Sequence, residues 1–217
     1  DPSSDTYNQT LRNIYGRTRN LEAYTELGYQ AWENDQNRSS GVNRIEASII
    51  QEDYDEIIDL LNTFARLQGN DPTLLAFKLL PQLYKGDLEE ARKTLDRFKL
   101  LAPEMEVHSS LYEKTLDYLE ANPVNTEDLQ KFTGEYRAGN SEQTSTLWVH
   151  KNTLLQYISN QGITPLIMGG ERTLVTGHPV TGQTGKKEFF EDSHGEFYAY
   201  RYDQYGWQDS LRVWYWR

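Results

Sequence analysis

The feature that most constrains this chain is an internal match. Residues 52–67 (EDYDEIIDLLNTFARL) align without a gap on residues 86–101 (GDLEEARKTLDRFKLL), 34 positions later. Asp53 falls on Asp87, Ile57 on Ala91, Leu61 on Leu95 and Phe64 on Phe98, and apolar residues recur at intervals of three and four. That spacing puts them on one face of a helix. A one-sided helical unit repeated at this period hides its apolar face only by stacking on its neighbours. Residues 1–122 are therefore predicted to form a stack of paired helices. A helix near Val107–Glu120 would close it, with Leu111, Leu116 and Leu119 covering the last repeat.

The residues resemble the tetratricopeptide repeat family. GDLEEA (Gly86–Ala91) is similar to its turn and second-helix start, with Ala91 at the small position where helices approach closely. Leu95 and Phe98 take the next packing positions, and Pro103 stands where the family ends its second helix. Upstream, AYTELGYQA (Ala23–Ala31) resembles the first-helix pattern through Leu27-Gly28. PTLLAFKLLPQLY (Pro72–Tyr84) departs from it, with Lys78-Leu79 in place of Leu-Gly and Pro81 inside, where a kink is expected. The resemblance implies a concave groove for a peptide or partner helix, faced by Asn43, Glu46, Phe77 and Tyr84. The alternative is that the array is a spacer or packs on the neighbouring domain.

The texture changes at LQKFTGEYRAGN (129–140). Asn122-Pro123 breaks the helical run, residues 123–128 make a polar linker, and Thr126–Leu129 suits a brief helical turn. Beyond it, residues 129–217 carry four of the five tryptophans and short alternating runs. Ser145–His150 and Thr153–Ser159 read as a hairpin turning at Lys151-Asn152. Thr164–Met168, Arg172–Thr176, Lys186–Glu191, Glu196–Tyr202 and Ser210–Trp216 follow, most of them separated by glycine-containing turns. About eight short strands predict an antiparallel meander, a barrel or a strongly curled sheet. The fold class is thus α+β with the two kinds of element segregated. In the last strand Leu211, Val213 and Tyr215 share one face, and Trp214 and Trp216 share the other. Apolar residues on both faces predict cover on both, by the barrel interior and by the helical array. Tyr198, Tyr200 and Tyr202 also alternate onto one face, as the lining of a ligand pocket or as a packed aromatic layer.

This half resembles the lipocalin-like β domain often appended to serine hydrolases of the β-lactamase and penicillin-binding-protein type. The likeness rests on Gly134-x-Tyr136, Leu154-Leu155, Pro165-Leu166 and the late Phe189-x-x-Asp192-x-x-Gly195. It implies an accessory domain without catalytic residues, and a serine hydrolase domain as a partner.

Chemistry is sparse. With no cysteine, thiol nucleophiles, disulfides and thiolate metal sites are excluded. Ser-x-x-Lys and Gly-x-Ser-x-Gly are absent. GQTGKK (Gly182–Lys187) lacks the spacing of a phosphate loop and reads as a β-turn. His108, His150, His178 and His194 are dispersed, and Asp192-Ser193-His194 is ordinary turn chemistry. Paired acids such as Glu89-Glu90 and Asp53/Asp55 sit at helix starts, where they favour the dipole. No metal site and no cofactor are expected. A net charge of −11 argues against nucleic acid. Nine of those negative charges fall in residues 1–122, where carboxylates solvate helices. No run has the ~20 apolar residues of a membrane span.

The expected function is a non-enzymatic binding or scaffolding module for a protein or peptide partner. The alternatives are an accessory region of a serine hydrolase and a small-ligand carrier using the interior of the β domain. The chain opens at Asp1 rather than Met, which points to a signal peptide, an anchor or a further domain ahead of it. A periplasmic or extracellular setting fits that reading, and the missing thiols suit a reducing cytosol equally.

Overall fold

The computed structural model describes residues 5–35, 38–68, 72–139, 142–158, 162–177, 184–205 and 210–217. Among them, helices precede strands without mixing, a segregated α+β fold. The helices are α1 (Asp5–Thr18), α2 (Leu21–Asn34), α3 (Arg38–Gln51), α4 (Tyr54–Gln68), α5 (Pro72–Lys85), α6 (Leu88–Leu101), α7 (Glu106–Ala121) and the short α8 (Thr126–Gln130). The starts of α3 and α5 are 34 residues apart, as are those of α4 and α6, whereas α1 and α2 begin 33 residues before α3 and α4. Hence α2 occupies a second-helix place, and the Leu27-Gly28 pair read as a first-helix feature lies there instead. Gly28 has a packing reason: a Cβ on it would come within 2.6 Å of the Asn43 carbonyl oxygen on α3.

The matched apolar residues make the helical core. Ile57 and Leu61 pack with Ile45 and Ile49, while Ala91, Leu95 and Phe98 pack with Leu79, Leu80 and Leu83. The side chain of Phe64 lies outside the described residues. Each burial removes apolar surface at roughly 25 cal/mol per Å². Asp87 caps α6, its carboxylate accepting from the Glu90 N–H at 3.3 Å. Pro81 sits inside α5, which continues past it to Lys85.

After α7, Asn125 and Asp128 form a reciprocal capping box that starts α8. Gly134 follows at φ +152°, a conformation closed to most L-residues, and begins the sheet. Strands β1 (Gly134–Ala138), β2 (Thr144–His150), β3 (Thr153–Ile158), β4 (Gly162–Gly170), β5 (Thr173–Gly177), β6 (Thr184–Glu191), β7 (Phe197–Tyr205) and β8 (Ser210–Trp216) pair in sequence. Arg137–Trp216 and Ala138–Tyr215 pairing closes β1 on β8 into an antiparallel barrel.

Eight strands enclose just enough space for side chains. Phe132, Tyr136, Phe189, Phe197, Tyr200 and Tyr215 fill the middle, with ring centroids 4.7 to 5.8 Å apart. Leu129 and Phe132, from and just after α8, join this core from one end.

The helical array covers the outer face of β3 and β4, with α1, α3 and α7 all meeting β4. Ile167 enters the α5–α7 core; Leu155, Tyr157 and Ile163 share a cluster with Tyr24 and Ile50. The expectation that the array would cover β8 is corrected here. Trp214 and Trp216 stay 39% and 47% exposed, stacked on each other at 6.0 Å. The sheet segment buried on both faces is β3, where every residue is buried.

Candidate functional site

The groove residues taken from the helical resemblance do not face open solvent as a set. Glu46, on α3, is buried between Arg12 and Tyr24. The Tyr24 hydroxyl donates to Glu46 Oε2 at 2.8 Å and accepts from the Ile163 N–H of β4 at 3.1 Å. Arg12 forms an ion pair with Glu46 and donates to the Tyr24 oxygen at 2.6 Å. Burial, reinforced by the Glu46 charge, pushes the Tyr24 hydroxyl far up, so it stays a donor. A charge pair this enclosed tolerates loss of neither partner.

Tyr84, on α5, donates to the Pro165 carbonyl of β4 at 2.8 Å. Its ring stacks 6.0 Å from Tyr54, whose hydroxyl meets Thr153 Oγ1 at 3.0 Å. Tyr24, held by Glu46, and Tyr84 thus grip the same strand. Asn43 is half-buried in the α2–α3 packing, and the side chain of Phe77 lies outside the described residues. Further bonds continue the seam. The Tyr157 hydroxyl donates to Asn13 O at 3.0 Å, Lys151 Nζ to Gln51 O at 3.0 Å, and the Asn152 N–H to Glu52 Oε1 at 3.1 Å. His108 Nδ1 lies 2.6 Å from Thr184 Oγ1, and burial holds this imidazole below its ordinary pKa.

The seam does not close everywhere. A cleft of about 490 Å³ lies between α5, α6, the end of α7 and strands β3–β4. Leu83, Leu88, Leu119, Val124, Ile167 and Met168 give it an aliphatic lining, with Tyr84, Glu120, Asn152 and Thr153 as its polar members. That volume falls within the range of sites that hold ligands. Sequence reasoning pointed to Tyr84 and missed the rest, because the lining residues come from separate segments spread between Leu83 and Met168.

The three tyrosines of β7 separate. A bulge opposite Phe190/Glu191 inserts one extra residue, so Tyr198 turns outward, 44% exposed, against Trp216 at 6.2 Å. Tyr200 is fully buried in the aromatic core and Tyr202 packs against it, which corrects the expectation of a shared face.

At the β6–β7 turn, Asp192 accepts from the His194 and Glu196 N–H groups at 2.8 and 3.0 Å, with Ser193 and His194 exposed. Of GQTGKK, Gly185–Lys187 run within β6, while His178, Gly182 and Gln183 lie outside the described residues. Among the described residues no group of three His, Asp or Glu is arranged to hold a metal ion. No described helix is long and apolar enough to cross a membrane. Comparison with protein-family models, with curated proteins and with solved structures returned no match.

Proposed function

We propose that this chain is a non-catalytic binding module in which helices and barrel act as one unit. A protein or peptide partner inserts apolar side chains into the cleft at the seam. The observation that carries this reading is the aliphatic cleft beside Tyr84, built jointly by α5–α7 and β3–β4. The array's strand-gripping residues are engaged with the barrel, which leaves the cleft as the place where both halves meet a ligand. The helical half is read as tetratricopeptide-like. The barrel is read as lipocalin-like, since eight antiparallel strands in sequence order are the up-and-down architecture of that group. The same build suits the second reading, an accessory region of a serine hydrolase acting outside the cytosol.

Because the chain has no cysteine, Val124→Cys supplies a unique thiol at the cleft mouth for an environment-sensitive dye. Peptides selected from a random display library are expected to blue-shift the dye and to lose at least tenfold in affinity on Leu88→Arg. Selected peptides that ignore Leu88→Arg, or turnover of an ester or β-lactam by the chain alone, contradict the proposal.

A further inference from the structure

The barrel interior is divided by chemistry. Toward the α8 end it holds Leu129, Phe132, Leu154, Leu166, Met168, Leu174, Phe189 and Phe197. Toward the opposite end the inward positions become polar. Gln156 donates to Ser145 Oγ at 2.6 Å and to the Tyr200 hydroxyl at 3.3 Å, and both partners are buried. Lys187, 2% exposed, lies toward the same end, in register with Leu174 on β5 and Tyr202 on β7.

Among the described residues no carboxylate offsets this amine, and it lies over the Tyr202 ring, 4.1 Å from Nζ to the centroid. Cation–π attraction returns only part of what an ammonium loses on leaving water. Two residues along β5, Thr176 is 6% exposed and its Oγ1 has no hydrogen-bond partner. Thr176 pairs with Gly185, and a Cβ on Gly185 would overlap the Tyr202 ring at 2.2 Å. The absent side chain at 185 leaves room for the Tyr202 ring beside Lys187. Buried polar groups without partners are rare in native proteins and call for an occupant.

We propose that the polar end of the barrel binds a small organic monocarboxylate, its anion paired with the Lys187 ammonium and accepting a hydrogen bond from Thr176. One isolated cation matches one negative charge, whereas a dianion such as phosphate would leave net charge buried. The aromatic floor beyond limits the ligand to a short chain. This site is independent of the cleft at the seam.

The groups facing Lys187 are Leu174 and Thr176 of β5 and Tyr202 of β7, with Gly185 and Phe189 two residues away on its own strand. Burial holds the amine down to about 7 and the Tyr202 hydroxyl up to about 12, so Lys187 is the group of this set that titrates near neutrality. Binding of the anion consequently takes up a proton above that point.

The test is titration of the native chain and its variants with butyrate, read by calorimetry and, in chains that keep Lys187, at its isotope-labelled side chain by NMR. The expected result is a saturable shift that weakens roughly tenfold per pH unit above about 7. Thr176→Val should weaken it several-fold and Lys187→Met should abolish it, while chloride and phosphate produce no saturable change. A Lys187 resonance unmoved by butyrate would show that water alone serves these groups, and overturns the proposal. Unchanged butyrate affinity in Lys187→Met or Thr176→Val does the same. If Lys187→Met fails to fold, the native titration and Thr176→Val decide.

Discussion

Two outer faces of one barrel have opposite fates. The β3–β4 face is covered by the helical array and stitched by hydrogen bonds from Tyr24 of α2 and Tyr84 of α5. The β6–β8 face keeps Phe190, Trp214, Trp216 and Tyr198 packed on one another, with Trp216 nearly half exposed. Both faces are aromatic or aliphatic, so hydrophobicity alone does not decide which one the helices choose. The difference is polar. The covered face meets an array that supplies a donor or acceptor for backbone groups of β4 (Ile163 N–H, Pro165 C=O). Apolar burial supplies most of the driving force, while the hydrogen bonds fix the register, because each one left unmade in a buried seam costs about 1–3 kcal/mol.

The contrast breaks most severely at Glu46. Glu46→Ala leaves the Arg12 guanidinium buried without its counter-charge, and should cost about 3–5 kcal/mol in urea unfolding. A loss below about 1 kcal/mol would mean that the ion pair does not hold the seam. Tyr84→Phe deletes one hydrogen bond to Pro165 and should cost about 1 kcal/mol, with the stacked Tyr54 contact retained.

His108, which meets Thr184 at the start of β6, adds a pH dependence to the seam. Its folded pKa lies below the ordinary value of 6.5, so below that value the unfolded chain binds more protons. The stability it contributes is present above 6.5 and is lost as pH falls through the window between the two values. His108→Gln should flatten this part of the stability–pH curve, and an unchanged slope would remove His108 from the account. Smallest of all, Trp216→Ser on the uncovered face should change stability by less than about 1 kcal/mol. A larger loss would show that this face carries structural weight equal to the seam.

Much of this was legible in the sequence. The strands appeared within three residues of their bounds because period-two alternation and glycine turns are local signals, and FTGEY does open the barrel, with Tyr136 buried. The 34-residue match set the paired helices for the same reason. Helix α1 was invisible: the buried positions among its described side chains are Arg12 and Gly16, so no apolar stripe announces it. The outward turn of Tyr198 escaped because a single bulge residue reverses the parity of everything before it on the strand. Glu46 and Tyr84 were found through a resemblance, but as residues of an open groove. Glu46 acts on the strand through Tyr24, which meets Ile163 139 positions away, and Tyr84 meets Pro165 81 positions away, so nothing local connects them.

The central claim is that helices and barrel are one cooperative unit. It is tested by following urea unfolding simultaneously through helical circular dichroism and tryptophan fluorescence, since four of the five tryptophans belong to residues 129–217. Coincident transitions, moving together to lower urea in Glu46→Ala, are the result expected. Two separate transitions in the native chain, with Glu46→Ala shifting only the helical signal, would contradict it.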